Sequence, residues 1–161
     1  MSSYSADEIF QFAIQIEENG ERFYKEMAEK FSDKSRVREV FLDLAGQEVE
    51  HRRSFEAMLS RIKSYADTNA YPDEYFAYIR AFAENALFSA DDLKKEAKRI
   101  SDPVSALEFS MNRELDAVNY YTELKGMVQD KDQEIIDDII LEEKRHYMYL
   151  NKVKEEISPG K

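Results

Sequence analysis

Cysteine is absent from this chain, which excludes disulfides, zinc knuckles, thiol nucleophiles and cysteine-ligated iron–sulfur centres within it. Glycine and proline are scarce, at four and three residues among 161. So few helix breakers leave room for long uninterrupted helices. No apolar run exceeds a few residues, far short of the roughly 20 that a membrane-spanning helix needs. The opening MSSYSADEIF has no basic stretch followed by an apolar one. No secretory signal is read there, and a cytoplasmic location without membrane contact is expected. Positive charge is in the minority, with 23 Lys and Arg against 34 Asp and Glu and a net charge of −11. Phosphate binding needs clustered Lys and Arg, so nucleic acid is not an expected partner. The acidic balance is compatible with attracting cations, although charge alone is explained as simply by solubility.

What is present suits one domain over residues 1–161, with 43% apolar and 35% charged residues. Four segments carry a helical period. The first runs from about Ala6 to Lys30, with Ser5-Ala6-Asp7-Glu8 as a capping box. Its stripe is Phe10, Ala13, Ile14, Glu17, Gly20, Phe23, Tyr24 and Met27. The second runs from about Ser35 to Tyr65, with Val37, Val40, Phe41, Leu44, Glu48, His51, Phe55, Met58, Leu59 and Ile62 on one face. The third follows Ser101-Asp102-Pro103, an N-cap and a favourable first helical residue. Leu107, Ser110, Met111, Glu114, Ala117, Val118, Tyr121 and Leu124 mark its stripe. The fourth begins near Asp130 to Asp132, carries Ile135, Ile136, Ile139, Glu143, His146, Leu150 and Val153, and ends by Pro159-Gly160.

Short connections around Ser32-Asp33 and Gln129-Asp130 make each pair an antiparallel hairpin. A longer crossover, residues 66–102, separates the pairs. It opens with the turn-like run Asp67 to Pro72 and then offers two helical pieces, roughly Glu74 to Phe88 and Asp91 to Ile100. The fold expected is all-α: an antiparallel four-helix bundle of ferritin-like topology, two hairpins joined by a long crossover between the second and third long helices.

One Glu interrupts the apolar face of each long segment, where an unpaired carboxylate does not belong. The chain has only two His, and each follows a Glu by three positions: Glu48-x-x-His51 and Glu143-x-x-His146. Residues at i and i+3 share a helix face, so each motif offers a carboxylate and an imidazole together. Oxygen and nitrogen donors suit iron or manganese, and also zinc. The other two segments match each other as well. Glu17-x-x-Gly20-x-x-x-Tyr24 corresponds to Glu114-x-x-Ala117-x-x-x-Tyr121. The halves, roughly 10–65 and 107–157, therefore read as a diverged duplication.

With 21 Glu among 161 residues, one His has Glu three before it by chance about one time in eight, and both about one time in sixty. A lone His on an apolar face is more often a satisfied core residue. The agreement of two motifs and two Glu helices, in the same order in both halves, favours metal. The candidate ligands are Glu17, Glu48, His51, Glu114, Glu143 and His146. Glu142, at i+4 from His146, is an alternative or supplement to Glu143. Tyr24 and Tyr121 are candidates for hydrogen bonds to ligand carboxylates or for redox chemistry, against the plainer reading of core tyrosines. Glu18 and Glu50 are expected to face solvent.

These motifs resemble the rubrerythrin branch of the ferritin-like superfamily over nearly the whole chain. The resemblance implies that Glu48 and Glu143 bridge two iron ions. It makes Glu17 and Glu114 terminal ligands and gives each metal one of His51 and His146. Three departures matter. Full-length rubrerythrins usually add a rubredoxin domain with four Cys, so electrons are expected from an external donor protein. The family's additional Glu, one turn after the third-helix ligand, is Ala117 here. The haem-binding Met that bacterioferritin carries after its second-helix Glu is Val49 here. The function implied is a non-haem di-iron oxidoreductase that reduces peroxide or dioxygen, working as a homodimer. The alternatives are an iron-handling ferroxidase and a non-catalytic helical interaction module with a structural metal.

Overall fold

The computed structural model describes residues 6–62, 73–86, 89–128 and 130–159. Within them lie six helices and no strand: α1 (Ala6–Lys30), α2 (Ser35–Ile62), α3 (Asp73–Ala86), α4 (Ala90–Arg99), α5 (Pro103–Lys125) and α6 (Asp130–Ile157). The four long helices begin where the sequence pattern places them. The Ser5 cap, the expected helix ends at Tyr65 and Phe88, the run Asp67 to Pro72, Gln129 and Gly160 lie outside the described residues.

Local chemistry explains the ends that are seen. Asp102 has extended backbone and its carboxylate accepts the Ser105 N–H, while Pro103 occupies the first turn of α5. That satisfies one of the amides a helix start leaves bare. The Ser105 hydroxyl and amide also hold the Asp102 carboxyl below its usual range. Ser89 caps α4 in the same way through Asp92 N–H.

α1 packs along α2 and α5 along α6. The two hairpins meet through α2 with α6 and α1 with α5. α3 lies against α5 and α1, and α4 against α1. The crossover pieces thus flank the bundle and add buried residues to its core, Ile79 and Ala83 from α3 and Leu93 and Ala97 from α4.

The core is divided in two. One apolar cluster holds Phe10, Ala13, Phe55, Met58, Tyr121 and Ile136 with their neighbours. The other holds Met27, Phe41, Leu44, Leu107, Met111 and Leu150 with theirs. Every long helix passes from one cluster to the other, and the crossing falls at Glu17 in α1, Glu48 and His51 in α2, Glu114 in α5, and Glu143 and His146 in α6. A polar layer is therefore buried between two apolar clusters.

Three stripe positions with described burial behave otherwise. Ile135 is exposed, and Gly20 and Val118 are only half-buried. The buried face of α6 instead takes Ile136, Ile139 and Ile140, with Asp132 one turn earlier. Asp132 is buried because Arg61 of α2 reaches it at 2.6 Å.

A buried carboxylate–histidine layer

All six candidate ligands are buried, none more than 4% exposed. They form two groups, Glu17 with Glu48, His51 and Glu143, and Glu48 with Glu114, Glu143 and His146. Within each group one donor atom per residue lies within 4.8 Å of all the others. Glu48 and Glu143 belong to both groups.

Both imidazoles turn Nδ1 inward. His51 Nδ1 lies 2.5 Å from Glu143 Oε1 and 3.6 Å from Glu17 Oε1. His146 Nδ1 lies 3.5 Å from both Glu48 Oε1 and Glu114 Oε1 and 3.8 Å from Glu143 Oε1. The two rings are nearly parallel, with centroids 5.5 Å apart.

Burial and crowding perturb these groups strongly. Glu143 is pushed well above the usual carboxylate range by burial and then by Glu114, Glu48 and Glu17. Glu48 is pushed the same way by burial and then by Glu17. Burial also works to raise Glu114, but the neighbouring Glu143 and His146 and the hydrogen bond from Tyr24 outweigh it and hold this carboxyl down. Burial works to lower both His. Glu17 and Glu142 overcome it and raise His51 to about 9, and Glu114 and Glu48 raise His146 to about 10.

An outer set of hydrogen bonds fixes the layer, and each bond crosses between the halves of the chain. Tyr121 donates to Glu17 Oε1 at 2.5 Å, and Tyr24 donates to Glu114 Oε1. His51 Nε2 lies 2.7 Å from Glu142 Oε2, and His146 Nε2 lies 2.7 Å from Gln47 Oε1. The matched tyrosines of the sequence thus bond the carboxylates of two candidate ligands. Glu142 is not beside His146: α6 turns it across to α2, behind the ring of His51. Gln47 escaped the sequence reading. Its signal was its place, directly before the Glu of its motif as Glu142 is before Glu143. Glu50 is exposed and pairs with Arg53, and Glu18 is half-buried.

Gly20 lies directly against Glu48. A Cβ there would make ordinary contact with the Glu48 carboxylate at 3.4 Å, which leaves no room for a larger side chain without moving Glu48. Gly20 and Ala117 line a cavity of about 20 Å³ with Tyr24, Arg113, Glu48, Glu114 and Glu143. No carboxylate reaches the layer from position 117. A larger cavity of about 550 Å³ lies between α1 and the junction of α3 and α4, and none of the six candidate ligands lines it.

The donor set fits metal ions on an observation independent of any family. Glu17 Oε2, His51 Nδ1, Glu143 Oε1 and His146 Nδ1 are buried without a hydrogen-bond partner. A buried polar atom left unsatisfied costs about 1–3 kcal/mol, and more when charged. His51 Nδ1 and Glu143 Oε1 come within 2.5 Å and still lack hydrogen-bond geometry. Four such atoms facing one small volume are what a cation would satisfy. Their oxygen and imidazole chemistry suits iron, manganese or zinc.

Comparison with known proteins agrees with this geometry. No curated protein and no solved structure matches the chain. The rubrerythrin family profile matches residues 8–154, which takes in all four long helices up to the last turn of α6 and every residue of the buried layer. On that match over most of its length, the chain belongs to the rubrerythrin family.

Proposed function

We propose that this protein is a non-haem di-iron oxidoreductase that reduces peroxide or dioxygen. The observation that carries the reading is the pair of donor groups sharing Glu48 and Glu143, with four buried donor atoms that make no hydrogen bond in the protein. In this reading Glu48 and Glu143, common to both groups, would help to hold both ions. Glu17 and His51 complete one position, and Glu114 and His146 the other.

Two ferrous ions held together supply two electrons to one O–O bond, so that H2O2 + 2 H+ + 2 e− gives 2 H2O without a one-electron oxygen species. The residues of the chain do the rest. The two apolar clusters exclude bulk water and keep the ligand charges strong. Tyr24 and Tyr121 hold the terminal carboxylates of the opposite half in place. Gln47 and Glu142 hold the proton on Nε2 of His146 and His51, which leaves Nδ1 free to ligate. The notch at Gly20 and Ala117 is the approach for a molecule as small as peroxide. The electrons come from a separate donor protein, the chain works as a homodimer in the cytoplasm, and light scattering of the purified protein tests the dimer.

The deciding experiment is anaerobic loading with Fe(II), metal analysis, and rapid mixing with hydrogen peroxide or oxygen. About two irons per chain and prompt oxidation support the reading. Faster reaction with peroxide identifies a peroxidase, and faster reaction with oxygen an oxidase or ferroxidase. No stoichiometric iron refutes it.

A further inference from the structure

We propose that Gln47 and Glu142 make the two metal positions unequal, so that the position at Glu17 and His51 fills first and holds its ion more tightly. This rests on the metal reading above and concerns which half of the site binds better.

The two halves are otherwise closely matched. Each position has one terminal Glu, one His through Nδ1, and a share of Glu48 and Glu143. Each terminal Glu accepts a bond from a Tyr of the other half. The residue before each motif Glu takes the outer nitrogen of the opposite His at the same distance, 2.7 Å. The difference is chemical: Glu142 is an anion and Gln47 a neutral amide.

An imidazole bound to a cation through Nδ1 must keep its proton on Nε2. A carboxylate accepting that proton draws it away from the ring, strengthens Nδ1 as a donor and adds a negative charge near the ion. An amide oxygen accepts the same bond without the charge. His51 is thus the stronger ligand of the two.

Removal of an outer partner typically costs about 10–100-fold in metal affinity. The Glu142 side chain is 44% exposed, so screening puts the effect near the lower end, about tenfold. Glu142→Gln and Gln47→Glu preserve shape and hydrogen-bonding reach, so folding is preserved, and circular dichroism checks it.

The test is calorimetric titration of metal-free protein with Co(II), with proton NMR of the shifted imidazole N–H signals. Wild type should bind in two steps, and the N–H signal of His51 should appear first. Glu142→Gln should weaken the first step about tenfold and bring the steps together. Gln47→Glu should strengthen the second step by a similar factor. The double exchange should restore the separation with His146 appearing first. Repulsion between two ions also separates the steps, but it does not follow the exchange of these two side chains. If Glu142→Gln changes the first step less than about twofold, or weakens both steps equally, the proposal fails while the metal reading stands. If wild type binds no pair of ions, both fail.

Discussion

Replacing Glu143 with Gln should stabilise the metal-free protein and destabilise the metal-loaded one. Glu143 is 1% exposed, and burial with Glu114, Glu48 and Glu17 acts to raise its carboxyl above the usual range. Its ionisation is opposed by burial and by three like charges. Gln keeps the shape and removes the charge. Glu143 Oε1 is the oxygen nearest His51 Nδ1, but Glu17 and Glu142, which raise the imidazole, remain in the variant, and Gln still offers an amide oxygen at that place. Relief of an unfavourable buried charge is of order 2 kcal/mol, which raises the melting temperature of a chain this size by roughly 4–8 °C. With metal the order reverses. An ion at a hundred times its dissociation constant stabilises the fold by about 2.7 kcal/mol, and the variant loses a ligand common to both donor groups. The assay is thermal melting of both proteins, chelated and with excess Fe(II) under anaerobic conditions, plus metal analysis. A metal-free variant that melts below wild type refutes the account of the layer as strained without its ions. A variant that still takes up two ions refutes Glu143 as a bridging ligand.

Three further outcomes are expected. The metal-free protein should lose stability as pH rises from about 6.5 to about 10: His51 and His146 have folded pKa values of about 9 and 10 against 6.5 unfolded, so their contribution is complete below 6.5 and is lost through the folded values. The raised Glu48 and Glu143 act in the same direction from 4.5 upward, metal uptake should release protons, and a denaturation series in which stability stays flat or increases over that range contradicts this. Arg61→Ala should cost about 2–4 kcal/mol, because it strips the buried Asp132 of its partner, and a urea midpoint unchanged from wild type would show the pair to be dispensable. Gly20→Ala should gain about 0.5–1 kcal/mol from helix propensity, since its Cβ makes an ordinary 3.4 Å contact with Glu48. Gly20→Val should displace Glu48 and weaken metal uptake about tenfold or more, and equal uptake by both variants would show that the notch has slack.

The helices were legible because period and punctuation agree. Asp102-Pro103 starts α5 for reasons confined to a few residues, and the stripe from Phe10 to Met27 can face inward in only one way. The six residues of the layer were legible for a related reason: a carboxylate repeated at the centre of an apolar face needs a partner, and two His at i+3 supply one kind. The same argument failed at Ile135. It fits the stripe of α6, but the helix rotates to bury Ile136 and Ile140, and periodicity does not measure that angle.

The sequence by itself determined the fold class, the two hairpins and the residues that interrupt the core, because helix spacing and the cost of burying charge are local or additive. Only the tertiary structure decided the outer bonds. Tyr24 to Glu114, Tyr121 to Glu17, Gln47 to His146 and Glu142 to His51 join residues 90 to 104 positions apart. They depend on how one hairpin sits against the other, which spacing within a helix does not encode. Glu142 shows the difference most clearly. On its own helix it is a neighbour of His146, and in the folded protein it serves His51.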